Sequence, residues 1–141
     1  MREVIAAFRG DNYFLSNFSR SKIEFDGKIF YSAEAAFQGQ KCPSETWKFC
    51  SMSPQQAKKA GRKIQLRIDW EEVKDRLMLQ IVRAKFTQNA TLKKKLLATG
   101  DAELIEGNTW GDQYWGVCNG KGENKLGKIL MQVRDELKEE K

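Results

Sequence analysis

Histidine is absent from this chain of 141 residues. That removes the commonest general base near neutral pH and the commonest metal-binding side chain. Ser-His-Asp and Cys-His nucleophiles are excluded, and so are H-E-x-x-H metalloenzymes. Cysteine is scarce: Cys42, Cys50 and Cys118 are odd in number and form no C-x-x-C pair. This argues against a disulfide framework and against a structural zinc site. Only two prolines occur, Pro43 and Pro54. No apolar run approaches the roughly 20 residues of a membrane span. The apolar opening from Met1 to Phe8 is too short for a signal-peptide core and is closed by Arg9 and Asp11. The expectation is a cytoplasmic protein with no membrane association. Any catalysis must draw on carboxylates, lysine, tyrosine, arginine or backbone groups.

What is present is ordinary for a globular chain, with 40% hydrophobic and 31% charged residues. There is no internal repeat, low-complexity tract or linker, so residues 1–141 are read as a single domain. The net charge of +6 favours anionic partners. Lysines gather at Lys58-Lys59, Lys93-Lys94-Lys95 and from Lys121 to Lys128. These stretches serve a solvated surface as readily as a phosphate or a nucleic acid.

The opening through Asn12 to Phe18 is aromatic and turn-rich, and reads as extended. Asp26-Gly27 between the apolar runs Ile23–Phe25 and Ile29–Tyr31 predicts a β-hairpin, because glycine accepts the positive φ of the turn. Ser32 reads as an N-cap for a helix running to Cys42, with Glu34 in its first turn, where the helix dipole favours a carboxylate. A short helix from Pro43 through Phe49 is expected next. Ser53-Pro54 starts another, expected to end at Gly61. Asp69 and Glu72 have capping-box spacing, and helical periodicity follows from Trp70 to Phe86. Asn89 is the expected cap of a helix ending at Gly100, and 102–106 fits either a strand or a helical turn. A final helix is predicted from Lys125 to about Glu139. The fold class is mainly α (α+β): a compact helical domain with a small N-terminal β-hairpin.

Glu34, Gln38 and Lys41 stand at i, i+4 and i+7, which puts an acid, an amide and an amine on one helical face. Neighbouring carboxylate and amine groups tune one another's proton affinity. The same spacing also suits a plain polar surface stripe. The tract Glu106–Gly116 holds Trp110, Trp115 and Asp112 among glycines. It reads either as a stacking platform for a flat base or as a hydrophobic plug. Glycines and lysines before the last helix suit a phosphate at its N-terminus, or simply a flexible loop. Lys85, in Lys85-Phe86-x-x-Asn89, lies near a helix C-terminus, where the dipole favours a cation in any case.

The ordered set Asn17-Phe18, Asp26-Gly27, Ser32-x-Glu34-x-x-Phe37-Gln38-x-x-Lys41, Lys85-Phe86-x-x-Asn89, Leu96-x-x-Thr99-Gly100, Glu106, Asp112-x-x-Trp115-Gly116 and Asn124-x-Leu126-Gly127-x-x-Leu130-Met131-x-x-Arg134 resembles the NADAR family, also called YbiA-like. The resemblance covers most of the chain. It implies a mainly helical fold that needs no metal and no cofactor. It also implies hydrolysis of an N-glycosidic bond in a phosphorylated nucleotide-like or ADP-ribosyl substrate. In that family some members act on phosphoribosylamino intermediates of riboflavin synthesis, and others remove ADP-ribose from modified guanine, so ADP-ribosylated DNA or RNA enters as a candidate partner.

On that resemblance Glu34, Lys41 and Asp112 are the expected catalytic groups. Asn17, Phe18, Gln38, Lys85, Trp110, Trp115, Gly116 and Asn124 are expected to bind substrate. A carboxylate would stabilise positive charge growing on the sugar. Lys41 would either hold a phosphate or hydroxyl, or attack the anomeric carbon of an opened sugar as an amine. A module that binds ADP-ribose without cleaving it is the competing reading. Two departures stand out. Many relatives have histidine where this chain has Ala35, and the stretch from Glu106 to Asp112 is longer than usual, with an added Trp110-Gly111.

Overall fold

A computed structural model describes residues 2–140. They divide into two compact units, one from Asn17 to Ala90 and one made of the N-terminal segment through Ser16 together with the chain from Thr91 onward. Among the described residues the fold is mainly helical with short strands. No helix there is long and apolar enough to cross a membrane.

The 17–90 unit opens with a hairpin of β2 (Arg20–Phe25) and β3 (Lys28–Ser32), paired antiparallel with Phe25 opposite Lys28. Its turn is the expected Asp26-Gly27, both at positive φ (53° and 77°). A strand, β1 (Val4–Ile5), precedes it in the other unit. Ser32 ends β3 and caps α1 (Ala33–Gly39): its Oγ accepts from the Ala35 N–H at 3.0 Å.

Helix α1 stops earlier than its sequence suggests. The Gln40 N–H closes onto the Phe37 and Gln38 carbonyls, and the Thr46 hydroxyl donates to the Gly39 carbonyl at 2.6 Å. Lys41 therefore lies beyond the helix, on the connection to a 3-10 stretch, Pro43–Ser51, in place of a full α-helix. Gly39 permits this packing, since a Cβ there would stand 3.2 Å from that of Phe49.

Helix α2 (Pro54–Lys63) begins with a complete Ser53/Gln56 capping box. It runs through Gly61 instead of ending there. Helix α3 (Trp70–Gln88) packs on β2 and α1. Its start is not the expected capping box: Asp69 makes no side-chain cap and pairs with Arg67 at 2.6 and 3.1 Å. Asn89 turns back to α3, donating to the carbonyls of Lys85 (2.8 Å) and Lys22 (3.1 Å), so its amide caps the helix behind it and not the one ahead. Ile23, Phe30, Phe37, Phe49, Ile81 and Phe86 are buried in this unit.

In the other unit the aromatic opening is helical, not extended. Gly10–Leu15 forms a 3-10 turn because Gly10 takes positive φ and the Asn12 N–H reaches back to the Arg9 carbonyl. Helix α4 (Ala90–Ala98) leads to Gly100 at φ 66°, the expected helix stop. Segment 102–106 contains a strand, β4 (Glu103–Leu104), parallel to β1. The glycine-rich tract is pinned by β5 (Gly107–Asn108) and β6 (Val117–Cys118), also parallel. Helix α5 (Lys125–Glu139) buries Leu126, Leu130, Val133 and Leu137, while Ile129 is only half-buried.

The two candidate caps separate in their energetic weight. Ser32→Ala should lower unfolding free energy by about 1 kcal/mol. Asp69→Ala, which loses only a solvent-exposed ion pair, should destabilise far less than Ser32→Ala. Urea denaturation of the two variants checks the difference.

Candidate active site

In the 17–90 unit, Glu34 sits in the first turn of α1, buried to 8% exposure, with its backbone N–H on the Asn17 carbonyl. One turn on, Gln38 Nε2 donates to Glu34 Oε2 at 2.7 Å. With its nitrogen turned to Glu34, the amide aims Oε1 the other way, towards Gly61. That Oε1 is buried without a hydrogen-bond donor.

Lys41 is half-buried. Its backbone is held by the Arg67 N–H, which donates to the Lys41 carbonyl at 2.7 Å. Its Nζ makes a long contact to the Gly61 carbonyl (3.4 Å) and lies 5.8 Å from the centre of the Trp70 ring. Trp70 leans on Phe37 with ring centres 5.1 Å apart. Burial pushes the Lys41 ammonium below the usual lysine range; Glu34 opposes this, and the charges of Arg62 and Lys74 add to it. The expected i, i+4, i+7 row thus keeps its acid and amide on the helix, while the amine reaches the same neighbourhood from the turn that follows.

The remaining candidates of this unit serve several surroundings. Asn17 is buried, with Nδ2 3.5 Å from the Met78 sulfur. Phe18 is half-buried under the Lys58 ammonium at 5.6 Å. Lys85 is almost fully buried and donates to Ser19 Oγ at 3.1 Å. Burial lowers its pKa from 10.5 to about 7.

In the other unit, Asp112 organises the tryptophan tract. Its Oδ1 accepts from the N–H groups of Tyr114 (3.0 Å) and Trp115 (2.9 Å), while its own backbone is bracketed by the Asn108 amide. Trp115 is half-buried, edge-on to Tyr114 with centres 4.9 Å apart. Trp110 is 60% exposed. Gly116 is required by space, because a Cβ would fall 1.7 Å from Glu106 Oε2.

Asn124 stands at φ 52° and clamps two strands' ends, accepting from the Glu106 N–H and donating to the Leu104 carbonyl, each at 2.9 Å. The N–H groups of residues 123–126 donate to carbonyls of Gln113, Gly116, Tyr114 and Trp115. The donors expected to cradle a phosphate at the start of α5 are therefore engaged by backbone.

Trp70, Gly61, Arg62 and Lys74 were not legible as site residues. Trp70 has the helical spacing of a core residue, and Gly61 has the look of a helix stop. The one available signal was a glycine with a basic neighbour at the end of a helical segment.

A profile of the NADAR domain family matches residues 7–138, and the chain belongs to that family. The match spans residues of both units. The N-glycosidase YbiA of Shigella boydii is 43% identical over 132 residues, covering 89% of this chain and 82% of the relative. An N-glycosidase of Nostoc punctiforme is 36% identical, covering 87% of this chain and 84% of its own. The NMR structure of the Escherichia coli protein YbiA superposes with a TM-score of 0.85 at 39% identity, covering 98% of this chain and 87% of that one.

The buried Lys85 makes stability depend on pH. Folded, it releases its proton near pH 7; unfolded, near 10.5. Between those values the unfolded chain binds more protons, so stability rises with pH. Lys85→Met should be the more stable protein at pH 6, with its advantage shrinking as pH climbs from 7 towards 10. Guanidinium unfolding at pH 6, 7.5 and 9 checks the trend.

Proposed function

We propose that this protein is an N-glycosidase that hydrolyses the C–N bond of a phosphorylated ribosyl or ADP-ribosyl compound in the cytoplasm. The observation that carries the reading is the buried Glu34–Gln38 pair beside a half-buried Lys41 whose ammonium is destabilised by burial. Family membership supports the reaction class, and the relatives' names include N-glycosidases and a riboflavin biosynthesis protein of Vibrio vulnificus, which is 39% identical over 132 residues. That protein is longer, and this chain covers 36% of it.

Cleavage leaves positive charge on the anomeric carbon and negative charge on the departing nitrogen. Glu34 is the group proposed to meet both. As a carboxylic acid it delivers a proton to the leaving nitrogen, and as a carboxylate it faces the cationic carbon. Lys41 is the proposed nucleophile. Its neutral amine adds to C1 of the ring-opened sugar, the C1–N bond to the leaving amine breaks, and a lysine imine forms. Water then adds to the imine carbon and the C1–Nζ bond breaks, returning the free amine and releasing the sugar. The sum is substrate plus water giving free base and ribose phosphate or ADP-ribose.

Burial supplies what this route needs from Lys41, an amine that sheds its proton more easily than an exposed lysine. Arg62 and Lys74, the cations that act on Lys41, suit a phosphorylated sugar. Within the other unit, Trp110 and Trp115 are proposed as rings that stack on a flat base, and Asp112 holds the backbone of the tract that carries them.

Substrate class is tested with a panel of a phosphoribosylaminopyrimidine, free ADP-ribosylated guanine nucleotide and the same lesion within DNA and RNA oligonucleotides, with released base read by mass spectrometry. At least one arm should show turnover. Binding without release in every arm makes the protein a binding module. Borohydride added during turnover should trap one sugar on Lys41, giving a mass gain lost in Lys41→Ala. An adduct that persists in Lys41→Ala, or none at all, removes the imine step.

A further inference from the structure

Gly61 lies within α2 and has no positive φ to explain it. A glycine there weakens the helix relative to alanine, and alanine occupies neighbouring positions of the same helix at Ala57 and Ala60. Space supplies the reason. A Cβ at position 61 would fall 1.9 Å from Gln38 Oε1 and 2.7 Å from Gln38 Cδ. Real carbon atoms do not approach so closely, so the end of the Gln38 side chain would have to shift, and in its present seat that end is buried and bonded to Glu34.

The amide is also seated at a cost. Its Nε2 is spent on Glu34, and its Oε1, pressed against the Gly61 slot, has no donor. A buried acceptor without a partner disfavours the folded state. A side chain selected only for stability would fill this slot with an apolar group. The carbonyl of the same glycine is the contact of Lys41 Nζ.

We propose that Gly61 is a positioning residue: its missing side chain forms the slot that holds Gln38 against Glu34, and its carbonyl orients Lys41, so one residue of α2 sets the acid and the amine together. The inference rests on the glycosidase reading for its catalytic consequence but not for its geometry. Gly61→Ala is expected to expel the Gln38 amide from its seat. Gln38→Ala removes the same bond without any clash and serves where Gly61→Ala folds poorly.

Three readouts decide the matter. In steady-state kinetics both single variants should lose about 10- to 100-fold in kcat, with KM within about 3-fold, as expected when a reacting group is displaced by about an ångström. The double variant should be no slower than Gln38→Ala, because an emptied slot accepts the methyl group, and it should melt at or above the temperature of Gln38→Ala. In 1H–15N spectra, the Gln38 side-chain amide signal should shift in Gly61→Ala in the direction seen for Glu34→Ala.

The proposal is overturned by a folded Gly61→Ala protein with wild-type kcat and an unmoved Gln38 amide signal, or by a double variant whose losses multiply. Should wild type turn over none of the panel, the spectra and the melting temperatures still judge the slot. The geometric claim and the glycosidase reading therefore fail separately.

Discussion

A single hydrogen bond, from Gln38 Nε2 to Glu34 Oε2 at 2.7 Å, constrains much of what surrounds it. A carboxylate buried to 8% exposure is expensive to keep unless charge and donors compensate it. The α1 N-terminus contributes its dipole, Gln38 a donor and Lys41 an opposite charge. Each of those requirements reaches into a different element. Ser32 must leave β3 in extended geometry to cap α1, Thr46 must take the Gly39 carbonyl so that the chain can turn at Lys41, and α2 must present a glycine to make room for the amide.

Lys41 shows the same economy of contacts. It lies outside the helix that holds Glu34, so its reach depends on the turn after Gly39 and on the Arg67 N–H that grips its carbonyl. Burial lowers its proton affinity, and the charges of Arg62 and Lys74 push in the same direction, while Trp70, seated on Phe37, lies 5.8 Å from its ammonium. Desolvation and like charges together outweigh the attraction of Glu34.

The elements were largely legible, because their signals are local. Asp26-Gly27 specifies its turn through positive φ, Ser53-Pro54 specifies a helix start, and the spacing from Trp70 to Phe86 specifies α3. The misreadings came where tertiary contacts override local preference. Asp69 has the sequence of a capping residue but finds a better partner in the Arg67 guanidinium. Gly61 resembles a helix stop, yet its reason is a side chain 23 positions earlier. At the candidate site, the i, i+4 spacing places Glu34 and Gln38 on one face of α1, whereas Lys41 lies beyond the helix, and Trp70, Arg62 and Lys74 approach it only through folding. In the other unit, the tryptophan tract was visible as a motif, but the engagement of Asp112 by two backbone N–H groups was not.

The claim on which the account turns is that Glu34 acts on the glycosidic nitrogen and the anomeric carbon. The most direct measurement is kcat for base release by wild type and Glu34→Gln on the best substrate, with ligand affinity measured in parallel by calorimetry. The account predicts a loss of at least about 100-fold in kcat, with affinity changed by no more than about 3-fold. Turnover by Glu34→Gln at the wild-type rate would contradict it.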